Sequence, residues 1–285
     1  ISILLPVFND EEFISRCISS ILENSYTNYE LVIINDGSTD NSPEIINQFK
    51  DSRIKLYNKM NSGLIESLNY GIGKCSSEII MRIDGDDEIT ENKIEIQLKS
   101  FINSNSVLHG TGAKIINNDS EIIKIINVPE DNNNILNNLN SLKTGLIHPS
   151  IMFYKDVIIK SGGYDSKFEV AEDYELYFRV SKLGELSNTN LPLLHLRKNH
   201  QNISKIKSNT QTLNTLIARR LYSNKKEIKK VNPIDYTRTR KEIENSISFK
   251  MLYKLNAKIN NSSQENFINL FMKILRKIII FFIKI

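Results

Sequence analysis

The sequence predicts an α/β fold, a mostly parallel central sheet flanked by helices, with a helical extension at the C-terminal end. Three observations carry that prediction. Apolar runs of strand length alternate with helix-period segments four times in the first hundred residues, the signature of parallel strands joined by crossover helices. Each of those runs ends in a polar cluster, where open parallel sheets bind ligands. From about residue 207 onward the strand patterns stop and Lys, Arg and Asn become frequent.

Taken in order, Ser2 to Val7 is an apolar strand closed by Pro6-Val7-Phe8-Asn9. Asp10, Glu11 and Glu12 read as the start of a helix, where carboxylates suit the dipole. Phe13, Cys17, Ile18, Ile21 and Leu22 recur on one helical face. Leu31 to Ile34 is a second strand, followed by Asn35-Asp36-Gly37-Ser38-Thr39-Asp40, with Asp40 as the expected N-cap of the next helix. Ile54 to Tyr57 is a third strand, and Asn61-Ser62-Gly63 opens a helix reaching Lys74. Ile79 to Ile83 is the fourth strand, and Glu91 to Phe101 is the helix after it.

The second half is less regular. Val107 to Ile116 and Glu121 to Ile126 read as a hairpin turning at Asn117-Asn118-Asp119. Asp131 to Leu142 reads as a helix, His148 to Tyr154 as a strand, Gly162 to Asp165 as a turn, and Ala171 to Val180 as a helix. Leu191 to Leu196 is an extended run. Three helices are expected beyond it, at 210–223, 236–259 and 264–284. The organisation expected is a main domain over 1–206, divided at 105/106, and a helical region over 207–285.

The richest chemistry lies at Arg82-Ile83-Asp84-Gly85-Asp86-Asp87. Carboxylates this crowded repel one another unless a cation or a donor lies between them. Oxygen ligands at a strand end suit a hard ion such as Mg²⁺ or Mn²⁺, which commonly bridges carboxylates to substrate phosphates. Arg82 on an otherwise buried strand demands a partner, either one of the nearby aspartates or a substrate diphosphate, so in both readings it faces the site. The last expected helix is apolar over 278–283 but carries Lys273, Arg276, Lys277 and Lys284. It is too short and charged for a membrane span and fits a membrane interface or a partner chain better.

The chain has 285 residues, 40% of them hydrophobic and 25% charged, with net charge +4. That is ordinary for a globular protein and too weakly basic to argue for nucleic acid. Cys17 and Cys75 fit no metal or redox spacing and read as buried thiols of a reducing compartment. No secretory leader is read at the start. A strand beginning at Ser2 is what a stretch from a longer chain would show.

The order Pro6-Val7-Phe8-Asn9, Asn35-Asp36-Gly37-Ser38, Arg82 to Asp87 and Ala171-Glu172-Asp173-Tyr174 resembles the inverting family-two glycosyltransferases of GT-A fold. Lys93, Gln97, His148-Pro149-Ser150, Gly162-Gly163-Tyr164-Asp165 and Arg197…His200…Ser204 resemble their bacterial branch, which builds lipopolysaccharide, capsule and exopolysaccharide. The resemblance covers residues 1 to about 205. It implies a UDP-sugar donor held by Pro6, Val7, Phe8, Asn9, Glu12, Asp36, Asn61, Arg82, Asp84 and Asp86, with Asp36 on the base. It implies a Mg²⁺ or Mn²⁺ ion on Asp86 and Asp84, with His200 a further candidate and Asp87 assisting by hydrogen bonding. It implies Asp173 as catalytic base, with Glu172 and His148 on the side of a saccharide or lipid-linked acceptor. The expected location is the cytoplasm, at the inner face of the cell membrane. Two other functions compete: a nucleotide-sugar-binding protein without turnover, and a nucleotidyltransferase. The latter ranks lowest, because Pro6 to Glu12 has neither glycine nor a basic residue.

Overall fold

The computed structural model describes residues 1–143, 145–198, 208–222 and 230–246. His200, the Asn202 to Ser204 segment and the helix expected over 264–284 lie outside the described residues.

The first half winds as β1 (Ser2–Val7), α1 (Ile14–Leu22), β2 (Glu30–Asn35), α2 (Ser42–Gln48), β3 (Ile54–Asn58), α3 (Leu64–Lys74) and β4 (Ile79–Arg82). Strands β3, β2, β1 and β4 lie side by side and parallel. Side chains alternate between the two faces: Ile3, Leu5 and Val7 join α1 and α2 in one core, while Leu4, Val32 and Ile34 join α3 in the other. A parallel strand buried on both faces has to be apolar throughout, which is why these runs are legible.

The rest of the sheet is mixed. After β5 (Glu88–Ile89) and α4 (Lys93–Asn103) come β6 (Leu108–Ile116), β7 (Ile122–Ile126), α5 (Asn132–Asn140), β8 (Met152–Tyr154), α6 (Lys155–Lys160), α7 (Glu172–Val180) and β9 (Leu186–Arg197). Among the described residues the strand order is β3-β2-β1-β4-β8-β6-β9-β5, with β7 on β6. Strand β8 runs antiparallel to β4, pairing Met81 with Met152. That brings the turn before β8 to the carboxyl end of β4.

Helices α8 (Ser208–Tyr222) and α9 (Pro233–Asn245) pack on the main body. Leu213, Leu216, Ile217, Leu221 and Tyr222 share one core with Phe168 and the apolar face of α7. Among the described residues no helix is long and apolar enough to cross a membrane.

Local expectations shift in four places. Helix α1 starts at Ile14, so Asp10, Glu11 and Glu12 lie in the turn before it, where the Asp10 carbonyl accepts from the Phe13 and Ile14 amides. Asn41 holds the cap position of α2, while the Asp40 carboxylate accepts from Ser42 N and Glu11 N at 3.0 Å. His148 to Ser150 is a 3₁₀ turn, and the strand begins at Met152. Strand β9 starts five residues before Leu191, because its first part pairs in parallel with β6.

Candidate active site

The parallel strands β1 to β4 deliver their carboxyl ends to one edge, and the loops that follow are laced together. Asn9, at φ 57°, accepts from Thr39 N through its side chain at 2.8 Å. Glu11 accepts from Asn41 N at 2.9 Å. Asp36, 3% exposed, accepts from the Ser62 and Gly63 amides at 2.9 and 2.8 Å and from the Lys59 ammonium. Asp36 therefore fastens the 59–63 loop, which carries the exposed Asn61.

Pro6 and Val7 are buried within β1, paired with Ile34 and Asn35, while Phe8 and Asn9 are exposed beyond it. Glu12 is exposed and turns to the β6–β7 hairpin, accepting from Asn118 Nδ2 at 3.4 Å.

At the end of β4, Arg82 is 1% exposed and forks both guanidinium nitrogens onto the Asp84 carboxylate. Carboxylate oxygens of Asp84, Asp86 and Asp87 lie within 4.8 Å of one another. Burial, then the Asp84 charge, raises the Asp86 carboxyl to about 6. Burial, then Asp86, lifts Asp87 well above the carboxylate range. Asp87 Oδ1 accepts from Arg197 N at 2.8 Å, and its buried Oδ2 has no partner among the described residues. Clustered hard oxygens, raised proton affinity and an unpartnered buried carboxylate oxygen fit a divalent cation.

A fourth carboxylate stands beside this cluster. A Cβ on Gly85 would lie 2.5 Å from Asp10 Oδ2, so a side chain there would push the Asp10 carboxylate away from the acidic loop. Burial, then Asp86, raises Asp10 to about 7. The sequence signal, an acid directly after Asn9, is there to read, but it reads more simply as helix-dipole charge.

The second acidic pair, Glu172-Asp173, opens α7. Asp173 Oδ1 accepts from Tyr174 N at 2.7 Å. A helix N-terminus alone would lower its pKa. Burial outweighs that amide and the Arg82 charge, so the carboxyl is raised. Burial, then Asp173, raises Glu172 to about 7. Both Glu172 and Asp173 feel the charges of Arg82 and Asp84, so the start of α7 lies near the acidic loop. His148 borders it: burial, then Arg82, lowers the imidazole well below its usual range, and Nε2 lies 2.8 Å from the Tyr164 hydroxyl.

The family model "Glycosyl transferase family 2" matches residues 2–162. The O-antigen biosynthesis glycosyltransferase WbnJ of Escherichia coli is 35% identical over 193 residues, 66% of this chain and 73% of that one. The chondroitin synthase of Pasteurella multocida is 28% identical over 195 residues, 67% of this chain but only 20% of that protein. Among solved structures, S. aureus TarS 1-349 in complex with UDP-GlcNAc superposes with a TM-score of 0.64 at 15% identity, over 86% of this chain and 71% of that one. At that identity the likeness speaks for the GT-A fold.

Proposed function

Because the chain belongs to glycosyl transferase family 2, we propose that it transfers a sugar from a UDP-sugar to a hydroxyl of a saccharide or lipid-linked saccharide, with inversion, in surface polysaccharide synthesis. The observation that supports this reading is the electrostatic reach of Arg82 and Asp84 to both acidic residues that open α7. Asp84, Asp86 and Asp87 end β4, Glu172 and Asp173 open α7, and the Arg82 charge acts on both. The printed names of the relatives, an O-antigen glycosyltransferase and a UDP-GlcNAc complex, support the same donor and pathway class.

The nucleotide lies over the ends of β1, β2 and β3, where Asn9, the Asp36-held loop and Asn61 form the wall. Asp84 and Asp86, with Asp87 behind them, would hold a Mg²⁺ or Mn²⁺ ion, and that ion would supply positive charge to a departing diphosphate. Arg82 fixes the Asp84 carboxylate in one orientation. Asp173 takes the proton of the acceptor hydroxyl as it attacks, and its raised proton affinity makes it a stronger base than a solvated carboxylate. Attack from the α7 side, opposite the diphosphate, inverts the anomeric carbon. Glu172 keeps its proton up to about pH 7, which spares Asp173 a full like charge. The basic, apolar sequence over 273–284 supports contact with the inner membrane face, where a lipid-linked acceptor is available.

A hydrolysis screen tests this reading. Nucleotide sugars are incubated with Mn²⁺ or Mg²⁺, with and without EDTA. A UDP-sugar should be cleaved slowly, with cleavage lost in EDTA. No cleavage of any nucleotide sugar would count against a donor site, and cleavage indifferent to EDTA would remove the metal.

A further inference from the structure

Tyr164 stands between the acidic loop and the base helix without belonging to either. The residue is 1% exposed; burial above all opposes its ionisation, with Arg82 favouring it and Asp173, Glu172 and Asp84 opposing it, so the phenol lies within reach of all four charges. The backbone is clamped from two sides. Asn69 of α3 accepts from Tyr164 N at 2.8 Å and donates to Tyr164 O at 3.0 Å, and Lys230 Nζ donates to the same carbonyl at 2.7 Å. Gly163 makes the clamp possible. It sits at φ 70°, and a Cβ there would lie 2.6 Å from Asn69 Oδ1. So much anchoring of one tyrosine serves its hydroxyl, which meets His148 Nε2 at 2.8 Å.

The direction of that hydrogen bond follows from counting protons. A phenol has one to donate, and a neutral imidazole carries one on either nitrogen. Among the described residues the Tyr164 hydroxyl has no protein partner besides His148. If Nε2–H donated, the phenolic proton would be buried unsatisfied, at the full desolvation cost. If the phenol donates, both groups are satisfied there and the imidazole proton resides on Nδ1. Burial and Arg82 keep the ring neutral. The ring is half-buried, and Nδ1 has no protein partner among the described residues. His148 lies beyond β4 on the side of β8, away from the β1–β3 loops that face the nucleotide.

We infer that Tyr164 is a positioning residue that locks His148 as the Nδ1–H tautomer, and that His148 thereby offers one neutral N–H donor to an uncharged oxygen of the acceptor saccharide. The acceptor half of this inference rests on the transferase reading; the tautomer half does not.

Nitrogen-15 NMR of histidine-labelled full-length chain decides the tautomer. The His148 signals should show protonated Nδ1 and bare Nε2 in the parent protein, and a mixture of tautomers in Tyr164→Phe. A protonated Nε2 in the parent overturns the lock. The acceptor role is read with octyl β-galactoside, octyl β-glucoside and octyl N-acetyl-β-glucosaminide, by turnover and by perturbation of the His148 signals. H148N places an amide donor near the Nδ1 position and H148Q near the Nε2 position. H148Q should raise the acceptor KM roughly three- to tenfold above that of H148N, the worth of one hydrogen bond. Equal KM values, the reverse order, or no glycoside that shifts the ring signals overturns the acceptor role. A chain that cleaves no nucleotide sugar would sink the transferase reading, while the ring-nitrogen shifts would still decide the tautomer.

Discussion

The Arg197 amide donates to Asp87 Oδ1 at 2.8 Å, joining residues 110 positions apart in sequence. The Arg197 side chain extends the tie. Its Nε donates to Asp86 O at 2.8 Å, its other nitrogens reach Glu88 and Asn117, and its guanidinium lies 4.6 Å from the centre of the Phe13 ring. The end of β9 is thus the back wall of the acidic loop. Truncating the side chain strands Glu88 and loosens the Asp86 carbonyl together. Arg197→Met should cost about 3 kcal/mol, a fall in Tm of roughly 6–12 °C, and should weaken Mn²⁺ binding. Arg197→Lys keeps the charge but loses the fork and should recover only part of either. A melting curve and a metal titration read both effects, and an unchanged Tm in Arg197→Met would remove Arg197 from the architecture of the loop.

The two acidic groups should fail differently. Asp86→Asn removes a proposed cation ligand, so metal-dependent donor binding and donor hydrolysis should fall together. Asp173→Asn removes the proposed base and leaves the donor wall intact. Its kcat for transfer should drop roughly 10²- to 10⁴-fold, with donor affinity within about threefold of the parent. Calorimetry with UDP and Mn²⁺, set beside a transfer assay, separates them. Retained turnover in Asp173→Asn would move the base elsewhere.

Lys93 makes a pH prediction of a different kind. It lies in the first turn of α4 with no solvent exposure, its ammonium on Gln97 Oε1, and Gln97 donates onward to the carbonyls of His109 and Ser150 at 3.1 and 2.7 Å. Burial lowers its pKa to about 7. Between about pH 7 and the ordinary lysine value of 10.5 the unfolded chain holds a proton that the folded chain does not. Stability therefore rises with pH across that window, and the penalty is complete below it. Urea melts at several pH values from 7 to 10 should show the parent gaining stability relative to Lys93→Met as pH rises. Parallel curves would mean that Lys93 stays protonated in the fold.

How much of this was legible depends on where the physics is local. Strands β1, β2 and β4 are continuous apolar runs closed by polar residues, and both acidic groups sit at element ends, so spacing alone finds them. Strand β9 was half missed, because Asn188, Asn190 and Pro192 interrupt its pattern while long-range pairing with β6 holds it. Lys93 and Arg197 stand out in the sequence only as part of a family pattern, and the assembled core reveals that both are buried and which groups they hold. Glu11 and Glu12 are neighbours of the same type, and local sequence cannot say which one the β2 loop engages. The structure gives Glu11 to Asn41 and leaves Glu12 exposed. Tyr164 was visible as part of a turn, but its hydroxyl acquires meaning only when β8 brings His148 to it.

Glu175 and Arg179 form a buried ion pair within α7. Both side chains are fully buried, one turn apart, and Arg179 also donates to the Ser161 carbonyl. The pair fixes α7 against the segment leading into the Gly162-Gly163 turn, so its integrity bears on where Asp173, the proposed base, stands. Removing one partner leaves a bare charge in the core. Arg179→Met and Glu175→Leu should each cost about 3–5 kcal/mol. The double variant replaces both charges by apolar groups of similar volume and should recover most of that loss, because the desolvation penalty disappears with the pair. A double-mutant cycle on urea melts measures the coupling. Additive losses in the double variant would show that the two charges do not act as a pair. A stable double variant that has lost turnover would show that the ion pair is kept for the placement of Asp173.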